Sequence, residues 1–120
     1  MKKLALVQLV VLVAIATLAV TARFACAASQ IHWTIMGETS VSFDWVGSET
    51  KLYYSTDGAK VTSLASPVDS ATGAVPTPLP VNSAGPFREI RITGLTANTV
   101  YFYKIGTTGE RHTFRTPPAR

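Results

Sequence analysis

The stretch FREIRITGLTANTVYFYKIG, from Phe87 to Gly106, decides the fold of this chain. Ile90 and Ile92 alternate with charged residues, which is the period of a half-buried strand. Residues 94–98 contain glycine and asparagine, which favour turns. Residues 99–105 are rich in β-branched and aromatic side chains, which favour a second strand. The stretch therefore predicts a strand, a turn and a strand.

Short strands are predicted on either side of this stretch. Period-two alternation indicates a strand wherever apolar side chains share one face, as Val41, Phe43 and Trp45 do. The Asp57-Gly58 turn dipeptide precedes a further candidate strand at residues 60–64. The remaining strands are predicted at residues 30–36, 40–46, 51–55 and 110–116. With no helical periodicity beyond residue 28, the pattern predicts a seven-stranded antiparallel sandwich of the immunoglobulin-like class.

Residues 66–86 differ from the rest in composition. They contain five prolines among serine, threonine, alanine and glycine. Proline lacks the amide donor of a sheet ladder, so this segment cannot be a central strand. We expect a surface loop or a cover along a sheet edge, with a recognition loop as the alternative.

The N-terminus has the layout of a secretory signal peptide. Lys2 and Lys3 precede an apolar run from Leu4 to Val20, and a small-residue tail contains Ala-Cys-Ala. We expect residues 1–27 to be a signal peptide, residues 28–118 the domain and residues 119–120 the start of a linker, in a secreted protein. An uncleaved membrane anchor and a lipid-attached Cys26 are the alternatives, and the membrane is a partner only if the segment stays uncleaved.

Cleavage changes the charge and cysteine content. Lys+Arg falls from 11 to 8 against 7 acidic residues, which leaves a net charge of +1. The basic balance thus belongs mostly to the signal, and nucleic acid is not an expected partner. Cys26 is the only cysteine, so the mature domain is expected to have no disulfide and to depend on its hydrophobic core.

Two blocks of the sequence resemble a fibronectin type III domain. Residues 40–45 (SVSFDW) place Trp45 in the second predicted strand. A tyrosine corner from Leu95 to Tyr101 leads into the sixth predicted strand. The structural signature of the resemblance consists of Trp45, Leu95, Tyr101 and Tyr103. Within that superfamily, residues 51–55, 92–103 and 113–118 resemble more closely the N-terminal domain of purple acid phosphatases and related secreted metallophosphoesterases. The resemblance covers residues 30–118.

The resemblance implies a non-catalytic accessory domain. A separate metallophosphoesterase domain would follow the Pro117-Pro118 boundary, and any dinuclear metal centre would belong to that domain. The chain is then expected to be truncated, with the catalytic domain or another protein as its partner. The metal motifs of the family have no counterpart here, so no catalytic residue, metal ligand or cofactor is assigned. The alternative is a stand-alone secreted module that binds protein or glycan, and intrinsic hydrolase activity is a weaker third option.

The polar residues offer little evidence of catalysis. His32 and His112 lie on the first and last predicted strands without a nearby carboxylate pattern, so we interpret them as ordinary strand residues. Five cations, Arg88, Arg91, Lys104, Arg111 and Arg115, form either an anion-binding patch or cross-strand ion pairs with Glu89 and Glu110. We favour the ion pairs.

One surface is a candidate for contact with a partner. If Tyr101 and Tyr103 face the core, Val100 and Phe102 face outward, and the same parity places Tyr53 outward on the third strand. Because the third and sixth strands pair in this fold, Tyr53 and Phe102 are predicted to form an aromatic patch. The alternative is that the proline-rich segment partly covers them.

Overall fold

The computed structural model describes residues 27–82 and 85–120. The strands in these residues are β1 (Ser29–Gly37), β2 (Ser40–Val46), β3 (Lys51–Ser55), β4 (Asp69–Thr72), β5 (Phe87–Ile92), β6 (Val100–Ile105) and β7 (His112–Arg115). A short helix, α1 (Gly58–Ser63), lies between β3 and β4. Residues 1–26 of the predicted signal peptide lie outside the described residues.

The strands form two antiparallel sheets. One has the order β1-β2-β5 and the other the order β4-β3-β6-β7. The prediction of an all-β antiparallel sandwich is confirmed. The β2 and β3 bounds equal those expected from the alternation, because each of these strands is flanked by a glycine-containing or serine-containing turn.

The core lies between the sheets and is largely aromatic. Phe43 of β2 meets Tyr103 of β6 edge to face, with ring centroids 4.8 Å apart, and Phe114 of β7 at 5.5 Å. Tyr101 stacks on Phe114 at 5.4 Å. The two Phe43 pairs cross the gap between the sheets, whereas Tyr101 and Phe114 are cross-strand neighbours in one sheet. The aromatic rings thus supply both buried area and a defined packing geometry.

The prediction of a strand at residues 60–64 is wrong, because helix α1 occupies residues 58–63. Asp57 caps the helix, with its Oδ1 accepting a hydrogen bond from the Ala59 amide at 3.0 Å. Val61 is the one fully buried residue of α1, which packs on the outer face of the β4-β3-β6-β7 sheet. A six-residue helix with a single buried position shows no helical period in the sequence, and the Asp-Gly dipeptide that suggested a hairpin instead begins the helix.

The proline-rich segment crosses from one sheet to the other. Its first part forms β4, which pairs with β3 at the edge of the four-stranded sheet. The Gly73 amide then donates to the Thr50 carbonyl at 2.7 Å, and Ala74 exchanges two 2.8 Å hydrogen bonds with Glu89 of β5. The expectation that this segment covers sheet edges, and is not a central strand, is confirmed.

The corner before β6 is held by side-chain hydrogen bonds. The Thr96 amide donates to the Tyr101 hydroxyl at 2.8 Å. Thr116, which is fully buried, donates through Oγ1 to the Thr96 carbonyl at 2.6 Å and accepts from the Thr99 amide at 2.9 Å. These hydrogen bonds join the loop between β5 and β6 to Tyr101 of β6 and to Thr116, which directly follows β7.

Within the described part of the chain, no helix combines the length and the apolar character that crossing a membrane requires.

Candidate functional site

The predicted contact residues lie on the outer face of the four-stranded sheet. Tyr53 pairs with Lys104, Phe102 with Ser55, and Val100 with Arg115, so all three predicted residues share this face. Val100 is 41% exposed, whereas Tyr53 and Phe102 are half-buried. A role of these residues in partner contact stays a prediction.

Helix α1 and Arg111 cover part of this face. The Arg111 guanidinium lies 5.1 Å from the centroid of the Phe102 ring and donates to the Thr62 hydroxyl at 3.0 Å. A Cβ atom on Gly58 would stand 3.0 Å from the Phe102 ring, so the helix begins in close contact with this aromatic side chain. The alternative expectation was cover by the proline-rich segment, but in the structure the cover comes from α1 and Arg111.

Lys104 holds the other end of α1. The side chain is 4% exposed, and its Nζ donates to the carbonyls of Thr62 and Thr107, both at 3.0 Å. Lys104 therefore joins the last turn of the helix to the turn after β6. A lysine at an outward strand position is usually exposed, so the burial of Lys104 is not what its place in the alternation predicts.

The prediction that the five cations form ion pairs with Glu89 and Glu110 is wrong. Among the described residues, none of the five forms an ion pair with either glutamate. Lys104 and Arg111 bind α1, and Arg115 donates to the Asn98 side chain at 2.8 Å. The cross-strand neighbour of Glu89 is Asp44, another carboxylate.

The four signature residues lie in the core. Trp45, Leu95, Tyr101 and Tyr103 are all buried, and the Trp45 indole donates to the Glu49 carbonyl at 2.9 Å. Burial raises the pKa of Tyr103 above its ordinary value, because the tyrosinate is poorly solvated there. Burial also raises the pKa of Tyr54, with smaller contributions from the Asp69 carboxylate and from Tyr101.

A cleft on the other sheet is the better-formed candidate for a ligand site. It has a volume of about 340 Å³ and lies over the outer face of the β1-β2-β5 sheet. His32, Asp44 and Glu89 form a row across its floor, since they are consecutive partners on neighbouring strands. The side chains of Phe87, Pro76 and Pro80 form an apolar wall.

The prediction that His32 has no nearby carboxylate is wrong, because Asp44 lies beside it on the neighbouring strand. Its Nδ1 lies 3.3 Å from Oδ2 of Asp44, with both side chains well exposed at 69% and 62%. A pair this exposed contributes little to stability. The described residues contain no group of three or more His, Cys, Asp or Glu arranged to hold a metal ion.

Arg88 also lines the cleft, although strand alternation places its side chain on the face of β5 opposite to Glu89. It is the cross-strand partner of buried Trp45, and its Nε is buried without a hydrogen-bond partner among the described residues. A buried guanidinium nitrogen without an acceptor is energetically costly. The alternation in the sequence identifies Asp44 and Glu89 as outward-facing, but it does not reveal that they meet His32 and Arg88 in one cleft.

The comparisons with known proteins identify no family. The sequence matches no protein-family model, and a search of the curated proteins found no match.

Proposed function

We propose that residues 28–118 form a fibronectin type III domain with a non-catalytic accessory role, of the kind found N-terminal to a secreted purple-acid-phosphatase-type catalytic domain. The hydrogen bond from the Thr96 amide to the Tyr101 hydroxyl is the observation that carries the domain type, because it has the geometry of a tyrosine corner. The sheet orders β1-β2-β5 and β4-β3-β6-β7 give further support, since the third and sixth strands are neighbours.

The positions of the polar side chains support an accessory role. Lys104, Thr116 and Arg115 make hydrogen bonds that hold α1 and the corner, and Asp57 caps the helix. These groups act on the fold of the domain. A purified chain assayed with phosphomonoesters and added iron, zinc or manganese tests this proposal, and we expect no turnover. Phosphatase activity that persists through stringent purification would overturn the non-catalytic role.

A second candidate is a stand-alone secreted module that binds protein or glycan, and the cleft beside Phe87 favours it. The coding sequence beyond Arg120 separates the two candidates. In-frame metallophosphoesterase motifs would support the accessory role, whereas a stop codon would favour the stand-alone module. N-terminal sequencing of the exported protein tests secretion, with a new N-terminus expected near residue 28.

A further inference from the structure

We propose that the free edge of β1 binds a second copy of this chain, strand against antiparallel strand across a twofold axis through Trp33. Strand β1 is the edge of the three-stranded sheet, and among the described residues it pairs with β2 alone. An edge strand presents a row of unpaired amides and carbonyls that can pair with another chain. The inference goes beyond the accessory role and applies equally to a stand-alone module.

Strand β1 lacks the features that usually protect a sheet edge. With nine residues it is the longest strand in the described part of the chain. Its sequence, SQIHWTIMG, contains no proline, lysine, arginine or carboxylate. Short length, charged side chains and proline are common means by which edges avoid pairing. The register irregularities of β1 lie toward its ends, so the stretch from His32 to Ile35 is a regular ladder.

The other sheet edges are better protected. Strands β4 and β7 have four residues each, and β4 carries Asp69. The free edge of β5 is partly covered, because Ala74 exchanges two 2.8 Å hydrogen bonds with the backbone of Glu89. Pairing through β1 uses the same edge on both copies, so it closes a dimer and does not continue into a polymer.

The side of the sandwich next to β1 presents an exposed aromatic ring. The Trp33 ring lies 6.1 Å from that of Phe114, so β1 lies over β7, yet Trp33 is 41% exposed. Arg115 is the only lysine, arginine or carboxylate of β7, and its guanidinium donates to the Asn98 side chain at 2.8 Å. Alternation places Arg115 on the face opposite to Phe114. A second copy that approaches β1 therefore meets the indole of Trp33 before any charge of β7.

The faces of β1 select the register of the pair. Directly opposite residues of an antiparallel pair lie on the same face of the sheet, so the twofold axis passes through a residue. An axis through Trp33 places the two indoles together and puts Ile31 opposite Ile35 of the second copy. His32 then lies opposite Thr34 of the second copy, and no like charges face each other. Because the edge is complementary to itself, a second copy is the occupant that this sequence supplies.

The extent of the interface predicts a weak dimer. A shift of the axis by one residue loses an apolar pair, because it places an isoleucine opposite Ser29 or Gly37. One strand edge and two Trp33 rings bury less than the roughly 1,200 Å² that marks standard-size interfaces. We therefore expect a reversible dimer with a Kd on the order of 100 µM.

Sedimentation velocity of the exported protein tests the dimer. Between about 5 µM and about 1 mM, a range that spans this Kd, we expect the monomer to give way to a dimer. Because the edge carries no lysine, arginine or carboxylate, we expect the Kd to change less than about twofold between roughly 50 mM and 500 mM salt.

A matched pair of substitutions locates the interface. Trp33→Lys places two ammonium groups opposite each other at the axis, and we expect it to weaken dimerisation at least about tenfold. Val75→Lys is the control, because Val75 is 51% exposed and lies beside Phe87 on the proline-rich segment. We expect Val75→Lys to leave the Kd unchanged. Circular dichroism of each variant shows whether it is folded.

Disulfide crosslinking tests the register and leaves Trp33 in place, so it also serves where Trp33→Lys unfolds the domain. In a Cys26→Ser background, His32→Cys and Thr34→Cys chains are oxidised separately and as a mixture. In the Trp33 register these two positions are directly opposite, within the reach of a disulfide. Identical positions lie roughly 8 Å apart, which is too far. We therefore expect crosslinked dimers in the mixture and not in either variant alone.

The proposal is overturned if the protein stays monomeric at about 1 mM, well above the expected Kd. It is also overturned if Val75→Lys weakens the dimer as much as Trp33→Lys does, or if either cysteine variant alone crosslinks as well as the mixture. A peptide of another protein that pairs with β1 while the chain itself stays monomeric would equally refute it. None of these outcomes depends on the phosphatase assay, so the dimer and the accessory role stand or fall separately.

Discussion

The Tyr101 hydroxyl accepts a hydrogen bond from the turn that precedes β6. Removal of this one oxygen atom tests whether the hydrogen bond stabilises the domain. In Tyr101→Phe the Thr96 amide loses its acceptor while the ring and its stacking on Phe114 remain. We expect a loss of about 1–3 kcal/mol in the free energy of unfolding, measured by urea denaturation. The control is Tyr53→Phe, whose hydroxyl makes no hydrogen bond among the described residues. Equal stability of the two variants would contradict this role.

Thr116 provides a second test at the same corner. Thr116→Val keeps the shape of the side chain but removes the buried oxygen that bonds the Thr96 carbonyl and the Thr99 amide. We expect the free energy of unfolding to fall by about 2 kcal/mol, because two partly buried backbone groups lose a partner. Thr113→Val is the matched control on β7, where the side chain is exposed and the change should stay within about 0.5 kcal/mol.

At the scale of elements, α1 depends on Lys104. Lys104→Met keeps most of the apolar stem but leaves the Thr62 and Thr107 carbonyls without the ammonium donor. We expect a stability loss of about 1–2 kcal/mol together with faster hydrogen exchange at the Val61 amide. Lys51→Met, at an exposed position on β3, is the control. Unchanged exchange in α1 would show that Lys104 does not hold the helix.

Substitution of Phe102 and of Tyr101 by alanine tests which of the two side chains belongs to the core and which to the outer face of the sheet. Because the ring is half-buried between α1 and Arg111, Phe102→Ala should cost about 1–2 kcal/mol. Tyr101→Ala should cost about 3–5 kcal/mol, as expected for a core aromatic. Chemical denaturation of both variants measures the difference. A loss at Phe102 as large as that at Tyr101 would mean that Phe102 belongs to the core.

For the whole molecule, the buried tyrosines predict a loss of stability in alkali. The pKa of Tyr103 is raised in the folded state, so between the unfolded value of about 10 and the folded value the unfolded chain binds fewer protons. Stability is therefore fully present below about pH 10 and falls as the pH rises beyond it. Tyr103→Phe should flatten this fall in denaturation curves recorded at increasing pH. Tyr53→Phe, which keeps the Tyr54 and Tyr103 hydroxyls, should retain it.

The burial of two neighbouring strands, β2 and β1, followed from local patterns to different extents. The alternation in β2 predicted both its bounds and its buried face, because each inward residue is strongly apolar. In β1 the same alternation predicts one shared face for Ile31, Trp33 and Ile35. The Trp33 ring does lie 6.1 Å from that of Phe114, yet Trp33 is 41% exposed. Strand β1 is the edge of its sheet, and a sequence pattern does not distinguish an edge strand from a central one.

Sequence alone determined the all-β class, the antiparallel sandwich and the corner from Leu95 to Tyr101, because period-two alternation and turn residues act over short distances. Only the tertiary structure decided that α1 replaces a strand, that Lys104 is buried beneath it, and that His32, Asp44, Glu89 and Arg88 meet in one cleft. Those features depend on the cross-strand register and on the path of the proline-rich segment between the sheets. Both are set by contacts between residues far apart in the chain, which no local pattern encodes.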